Sequence, residues 1–216
     1  MNEDNVNFYN DISQQAMETR LHELALHTLS DVALVADLVQ RMDIEGSLIW
    51  EVGAGYGRVV EFLLENTAAA TVEAWEYTPR MAAFLRQEFR SHSRLRVTER
   101  SILEAPAEPR NLGLALWMFS GILEFSPDEQ ERALALICRR LQPGGYLVVD
   151  IGGLELAEKQ EFVRFSAAEG PHELKTYLLT RDRLNALAGR VGLSSVRECK
   201  YWVAGSPRLS CVYRAG

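Results

Sequence analysis

The sequence predicts an α/β domain in which a mainly parallel β-sheet is covered by helices on both faces. Strand and helix patterns alternate from about residue 47 to residue 151, as they do in βαβ units. The segments 112–119 and 146–151 are continuously apolar, which is typical of central parallel strands. A glycine-rich loop, Gly53 to Gly57, follows the first apolar strand and precedes a helical pattern. Such a loop lets a small molecule lie against bare backbone at the tip of a strand.

The first 45 residues predict two helices, at about 13–28 and 31–43. Apolar residues share one face of each helix, which indicates that both helices pack against the rest of the chain. Five strands are expected in the alternating region that follows. They lie at 47–52, 70–77, 95–100, 112–119 and 146–151.

The helices between these strands carry start and stop signals. Thr78-Pro79 offers an N-cap followed by proline at the first helical position. Ser126, with Glu129 three residues later, predicts a capping box at the start of another helix. Pro143-Gly144-Gly145 is expected to end that helix and to turn into the next strand.

The pattern changes after residue 151. Residues at about 152–179 are interpreted as an insertion that contains two extended segments. A helix and two final strands follow, and the short connection Gly205-Ser206-Pro207 implies that these strands form a hairpin. The sheet is therefore expected to end with one antiparallel strand. The helix runs from Thr180 to about Val191, and the strands lie at roughly 194–203 and 208–214.

The composition of the chain argues against some classes of binding partner. The chain has 216 residues, of which 47% are hydrophobic and 25% charged, as in globular proteins. Its net charge of −7 argues against a general nucleic-acid binder. No apolar run approaches the length of a membrane span, and the polar N-terminus is not a secretory signal. We therefore expect a cytoplasmic protein with no membrane partner, either a monomer or a homodimer.

Cysteine and histidine spacing predicts no metal site. Cys138, Cys199 and Cys211 are isolated, and no C-x-x-C pair exists. The four histidines show no H-x-x-x-H pair.

The glycine loop belongs to the pattern E-x-G-x-G-x-G, which runs from Glu51 to Gly57. A dinucleotide fingerprint, G-x-G-x-x-G, would need glycine where this chain has Arg58. The pattern resembles motif I of the class I S-adenosylmethionine (SAM) dependent methyltransferases. The Leu-Gln-Pro-Gly-Gly turn at 141–145 and the terminal hairpin are also similar to that superfamily, so the resemblance covers roughly residues 45–214.

This resemblance implies a Rossmann-like, seven-stranded sheet in the order 3-2-1-4-5-7-6, with strand 7 antiparallel. It also implies methyl transfer with SAM as cofactor and S-adenosylhomocysteine (SAH) as product. Residues 1–45 would then form an N-terminal helical lid, and residues 46–216 the SAM-binding domain.

The family's glycine loop faces the methionine part of SAM, which carries over to Gly53, Gly55 and Gly57. Glu51 is then the acidic residue near the ammonium end. Glu76, at the end of the second strand, has two oxygens that suit the ribose diol. The remaining residues expected at the cofactor are Ala54, Tyr77 over the adenine, Ser101, Ile102, Leu116 and Met118.

Ser101 departs from the family's pattern. Many members have Asp after the third strand, where it accepts a hydrogen bond from the adenine amino group. A serine hydroxyl can accept the same bond, more weakly and without charge assistance. Ile102 is expected to contribute its backbone amide and an apolar contact.

The fourth strand ends without N-P-P-Y or D-P-P-Y. The family members that methylate the exocyclic amines of bases carry that motif, so its absence argues against those substrates. We therefore expect a small-molecule acceptor that is methylated on O, N or C. Trp117 and Phe119 are expected to line the transfer cavity, and Tyr9 and His22 to face the substrate from the lid.

A hydroxyl or protonated amine acceptor would also need a base. The candidates are Glu124, His22 and His172, with His27 and Asp150 as further possibilities, and the sequence assigns none of them. Two other functions stay open. One is a SAM-binding protein of the same fold that transfers no methyl group. The other is a Rossmann-type nucleotide-dependent oxidoreductase, against which Arg58 and the terminal hairpin argue.

Overall fold

The computed structural model describes residues 3–19, 29–42, 44, 46–69, 71–106, 108, 111–152, 162–166, 173–203 and 206–216. Its α-helices are α1 (Glu3–Asn10), α2 (Leu29–Arg41), α3 (Arg58–Asn66), α4 (Pro79–Glu88), α5 (Pro127–Arg140) and α6 (Arg181–Arg190). Its strands are β1 (Leu48–Val52), β2 (Thr71–Trp75), β3 (Leu95–Thr98), β4 (Leu112–Trp117), β5 (Leu141–Gly152), β6 (Phe162–Ser166), β7 (Glu173–Tyr177), β8 (Leu193–Val203) and β9 (Ser206–Ala215). Short 3₁₀ helices are η1 (Ile102–Glu104) and η2 (Gly121–Glu124).

Seven strands form one sheet in the order β3-β2-β1-β4-β5-β9-β8. The pairs among β1 to β5 are parallel, and β9 runs antiparallel to both β5 and β8. Without the separate β6–β7 pair, this is the order 3-2-1-4-5-7-6 with the seventh strand antiparallel, as predicted. The terminal hairpin places β9 between β5 and β8 because its short loop allows only an antiparallel return.

Helices cover both faces of the sheet, which confirms the predicted layers. Successive strand residues point to opposite faces. On β1, Ile49 packs with residues of α2, α3 and α4, whereas Trp50 packs with residues of α5 and α6. On β4, Leu114 and Leu116 belong to the first cluster, and Ala115 and Trp117 belong to the second. The central strands are apolar throughout because both of their faces are buried.

The helix start signals act as predicted. α4 begins at Pro79 after Thr78, and α5 begins after Ser126, whose amide donates to Glu129 Oε2 at 2.9 Å. The helix was predicted to end at Pro143-Gly144-Gly145, but it ends earlier. α5 ends at Arg140, and β5 starts at Leu141, with an irregular register against β4 between Leu112 and Leu114. The proline and glycines therefore lie inside the strand.

The N-terminal region differs from the prediction at its start. The sequence indicated no helix at Glu3–Asn10, because this polar segment has no apolar periodicity. Residues 14–19 are helical, and the rest of the predicted helix at 13–28 lies outside the described residues. The second predicted helix, at 31–43, is α2.

Contacts distant in sequence hold α1 in place. The Asn5 side chain is buried and exchanges two hydrogen bonds with the backbone of Lys175 on β7, at 2.9 Å to its carbonyl and 2.8 Å from its amide. The Asn5 side chain thus makes the pair of hydrogen bonds to the β7 backbone that a residue of a neighbouring strand would make. β7 pairs in turn with β6 in an antiparallel hairpin formed by the two predicted extended segments. No described helix is long and apolar enough to cross a membrane.

Gly57 precedes α3 with φ of +90°, and a Cβ there would lie 2.4 Å from Cε2 of Phe89 and 2.7 Å from Cδ2 of Leu85. We expect Gly57→Ala to lower the free energy of unfolding by about 1–3 kcal/mol, because it adds both a backbone strain and an overpacked contact. The measurement is chemical denaturation.

Gly189→Ala is the matched control. Gly189 is an exposed residue of α6, and a Cβ there would meet no atom within 4 Å. Alanine favours a helix interior over glycine, so this variant should be as stable as the parent or slightly more stable. Equal midpoints for Gly57→Ala and Gly189→Ala would contradict the packing argument.

Candidate active site

A cavity of about 320 Å³ lies at the carboxyl ends of β1, β2 and β4. Ligands bind at this edge in open α/β sheets, and the volume is within the usual range for small-molecule sites. Most residues that the sequence singled out line this cavity. They are Tyr9, Glu51, Gly53, Ala54, Gly55, Glu76, Tyr77, Ile102, Trp117, Met118, Phe119 and Glu124.

Three predicted cofactor residues lie behind the cavity wall. Leu116 is fully buried in the core. Gly57 packs against α4 through the contacts described above. The Ser101 hydroxyl accepts a hydrogen bond from the Leu103 amide at 3.2 Å and so caps η1, and its expected contact with the adenine stays a prediction. His22 and His172 lie outside the described residues, so their roles stay predictions.

The glycine loop presents bare backbone to the cavity at Gly55. Its φ is +55°, and a Cβ there would meet no protein atom within 4 Å, so the space in front of it belongs to the cavity. The loop is held from behind, since the amides of Gly53 and Ala54 both donate to the Trp75 carbonyl, at 2.8 and 3.2 Å. The positive φ and the cavity space in front of the backbone explain the glycine at position 55.

Glu76 joins this loop to the end of β2. The carboxyl is buried, its Oε2 accepts from the Gly55 amide at 2.9 Å, and its Oε1 accepts from the Thr78 amide at 2.8 Å. Burial raises the pKa of Glu76, and these two amide donors oppose the rise. A carboxylate has about four lone-pair positions, so each oxygen can accept a further hydrogen bond from a ligand in the cavity.

Glu124 lies across the cavity, at the end of η2. Its Oε1 accepts from the Tyr9 hydroxyl at 2.6 Å, and its Oε2 accepts from the Tyr77 hydroxyl at 2.5 Å. Burial raises the pKa of Glu124 to about 7, the nearby Glu76 charge adds to the rise, and both hydroxyl donors oppose it. Three separate parts of the chain therefore meet at one carboxyl group.

Phe119 and Ser120 follow β4 with φ of 54° and 63°, in the left-handed region that most residues avoid. The Phe119 ring lies between two guanidinium groups, 5.3 Å from that of Arg58 and 4.6 Å from that of Arg208. Arg208 Nη2 also donates to Ser120 Oγ at 2.5 Å. These contacts hold a strained segment in place at the mouth of the cavity.

Asp150 is unsuited to act as the base. Its fully buried carboxyl accepts from Arg208 at 2.8 and 3.0 Å and from the Tyr201 hydroxyl at 2.7 Å. It does not line the cavity. Burial raises the pKa of Asp150, and the Arg208 charge opposes the rise. The pair positions Phe119 and Ser120 instead.

Sequence reasoning missed several residues of the cavity wall. Arg58 had served only to argue against a dinucleotide site, although its place directly after the glycine loop could have indicated a role. Trp75 and Phe125 carried no signal, because a buried aromatic residue in a strand or loop is usually part of the core. Among the described residues, no group of His, Cys, Asp or Glu side chains could hold a metal ion.

Residues 49–145 match the family model described as "Methyltransferase domain". A comparison with curated protein sequences finds no match.

Solved structures share the fold along most of the chain. The glycopeptide N-methyltransferase MtfA, complexed with SAM, is 16% identical, with 86% of this chain and 94% of that chain covered and a TM-score of 0.70. The 1,6-didemethyltoxoflavin-N1-methyltransferase of Burkholderia thailandensis, with bound 1,6-didemethyltoxoflavin and SAH, is 20% identical, with 85% and 77% covered and a TM-score of 0.64. The [4+2]-cyclase SpnF is 14% identical, with 84% and 80% covered and a TM-score of 0.67.

These solved structures show the fold, and the matched domain contains the glycine loop, Glu76 and Glu124. Residues 49–145 therefore match a methyltransferase domain, and the sheet has the strand order that the resemblance to class I SAM-dependent methyltransferases predicted.

Proposed function

We propose that the protein transfers a methyl group from SAM to a small-molecule acceptor. The observation that carries this proposal is the hydrogen-bonded unit of Glu76 and the glycine loop, which forms one wall of the cavity within the matched domain. The cavity is also covered by Tyr9 of α1, which suits a small acceptor better than a long polymer. MtfA and the Burkholderia enzyme act on small molecules or a glycopeptide, in keeping with this choice.

The residues present fit this cofactor. A side chain at position 55 would occupy the cavity, so the backbone there is free for close contact. Glu76 keeps lone pairs for the two ribose hydroxyls.

The proposed roles follow the cavity wall. Gly53, Ala54 and Gly55 hold the methionine part, with Glu51 near its ammonium group, and Glu76 holds the ribose. Around the adenine, Tyr77, Ile102 and Met118 provide apolar contact, while the Ser101 hydroxyl supports the loop through its cap.

The bound cofactor supplies an activated methyl group on a sulfonium. The remaining task of this chain is to align the acceptor and to exclude water. Trp117 and Phe119 are proposed to face the acceptor, as does Tyr9.

A second candidate function is SAM binding without methyl transfer. The [4+2]-cyclase SpnF has the same fold, so this fold also serves proteins named for another reaction. Methyl transfer to any acceptor from a panel of small molecules would distinguish the two functions.

Calorimetric titration tests the cofactor site. The parent protein should bind SAM and SAH, and Glu76→Gln should weaken both by about tenfold or more, because an amide group replaces a charged acceptor that faces two amide donors. Glu99→Gln is the matched control, since Glu99 is a partly exposed acid that pairs with Arg86 away from the cavity. Thermal unfolding of each variant checks that it is folded. Binding of NAD in place of SAM, or unchanged SAM affinity in Glu76→Gln, would overturn the proposal.

We also propose that α1 and the β6–β7 hairpin form a lid over the cavity. Asn5 joins α1 to β7, Tyr9 joins α1 to Glu124, and Arg80 Nη1 of α4 donates to the Asn10 carbonyl at 2.7 Å. These three contacts of α1 are polar and can exchange with water, which suits a segment that opens.

Hydrogen exchange tests this lid. Asn5→Ala removes both hydrogen bonds to Lys175 and should raise exchange of the amides in α1 and β7 by about tenfold. Exchange in β1, β4 and β5 should not change. Gln14→Ala is the control, because Gln14 is exposed and contacts only its neighbour Glu18 through the hydrogen bond at 2.9 Å. The same exchange pattern in both variants would show that Asn5 does not hold the lid.

A further inference from the structure

Four aromatic side chains, Tyr9, Tyr77, Trp117 and Phe125, line the cavity together with Glu124, and we name them the aromatic cage. The hydroxyls of Tyr9 and Tyr77 donate to the Glu124 carboxyl. Phe125 packs edge-on against Trp117 with ring centroids 5.3 Å apart, and against Tyr77 at 6.5 Å. Trp117 and Phe125 are almost fully buried. The contacts of these rings with one another therefore fix their positions in the same cavity wall as the acid.

Glu124 has no cation to balance its charge in the described part of the chain. The groups that act on it are Tyr9 from α1, Tyr77 after β2 and the Glu76 carboxyl, and none of these is positive. The cavity wall holds two arginines, Arg58 and Arg100, and neither is among the groups that act on Glu124; Arg58 stacks on Phe119. A half-buried carboxylate without a counter-ion is costly, so a cationic ligand gains free energy by pairing with it.

We propose that the methyl acceptor is an amine, which binds in the aromatic cage as an ammonium ion and transfers one N–H proton to Glu124. This proposal rests on the proposed function and specifies its substrate class. The cage and the carboxylate act together, because aromatic faces attract cations and the carboxylate accepts the N–H hydrogen bond.

The proton transfer leaves the nitrogen ready to react. An ammonium nitrogen has no lone pair. When one N–H bond breaks, the proton moves to a Glu124 oxygen and the bonding electron pair stays on nitrogen as its lone pair. With SAM bound, that lone pair would form the new bond to the methyl carbon while the methyl–sulfur bond breaks, its electron pair would go to sulfur, and SAH would be the leaving group. Glu124 then returns the proton to solvent when the cavity opens.

The strength of this base supports an amine over an alcohol. Burial raises the pKa of Glu124 to about 7, which brings it within reach of an ammonium group and leaves it far from an aliphatic hydroxyl. An anionic acceptor would meet three acids in the cavity wall, Glu51, Glu76 and Glu124, against two arginines, Arg58 and Arg100. Neither alternative uses the attraction of the cage for a cation.

Three probes with one skeleton test the preference: benzylamine, benzyl alcohol and benzoate, titrated calorimetrically into the protein with and without SAH. Benzylamine should bind about tenfold or more tightly than the other two. Glu124→Gln should lose this preference, and Glu99→Gln should keep it. If Glu124→Gln proves unstable, the pH dependence of benzylamine affinity in the parent protein carries the test, because it needs no variant.

Protonation provides a readout separate from activity. Below pH 7 the Glu124 carboxyl is protonated in the free protein and must release its proton to pair with an ammonium ion. Benzylamine affinity should therefore fall by up to about tenfold per pH unit as the pH drops below 7. Proton release, seen as a dependence of the binding heat on the ionisation enthalpy of the buffer, should accompany binding, and both effects should be absent in Glu124→Gln.

The two proposals fail in different ways. If SAH binds and benzylamine shows no preference or no pH dependence, the amine proposal is wrong and the methyltransferase proposal stands. If SAH does not bind, the methyltransferase proposal is wrong. Benzylamine preference retained in Glu124→Gln would assign the selectivity to the rings alone and would overturn the role of the carboxylate.

Discussion

The architecture of the cavity depends on the hydrogen bonds that the Glu76 carboxyl accepts. This carboxyl is buried at the end of β2, and its two oxygens accept from Gly55 in the glycine loop and from Thr78 at the start of α4. One side chain thereby fixes the loop after β1 relative to the helix after β2. Because charged hydrogen bonds to backbone amides are strong, the carboxyl stays in place although burial raises its pKa. The loop geometry that leaves Gly55 open to a ligand follows from this bond.

Sequence patterns predicted the sheet because its determinants are local and periodic. Apolar strands, glycine turns and caps such as Ser126 each occupy a few adjacent residues. The contacts that complete the site are of another kind. Tyr9 and Glu124 are 115 residues apart, and Asn5 and Lys175 are 170 apart. A polar helix such as α1, whose stability comes from such partners, has no pattern of its own to detect.

Some predicted cofactor residues are placed by the strand order, whereas the hydrogen bond of Ser101 is not. Glu51 lies at the end of β1, and Gly55 and Glu76 follow β1 and β2, whose carboxyl ends meet at one edge of the sheet, so their positions could be expected from topology alone. Ser101 follows β3 as expected, but its hydroxyl caps η1, since a serine at this position competes for the nearest free amide. The hydrogen-bond partner of the Ser101 side chain lies two residues away in sequence, and the strand order does not predict it.

Two acids near the cavity, Asp150 and Glu124, show how a partner decides what a carboxyl can do. Asp150 is buried and faces Arg208, which neutralises its charge and holds the segment after β4. Within the described part of the chain Glu124 accepts from two hydroxyl groups, so its charge is solvated by dipoles and not balanced by a cation. Hydroxyl donors leave a carboxylate able to exchange protons, whereas a buried ion pair suppresses that exchange because protonation would strand the guanidinium charge. Of the two, only Glu124 therefore combines access to the cavity with a proton affinity that matters near neutral pH.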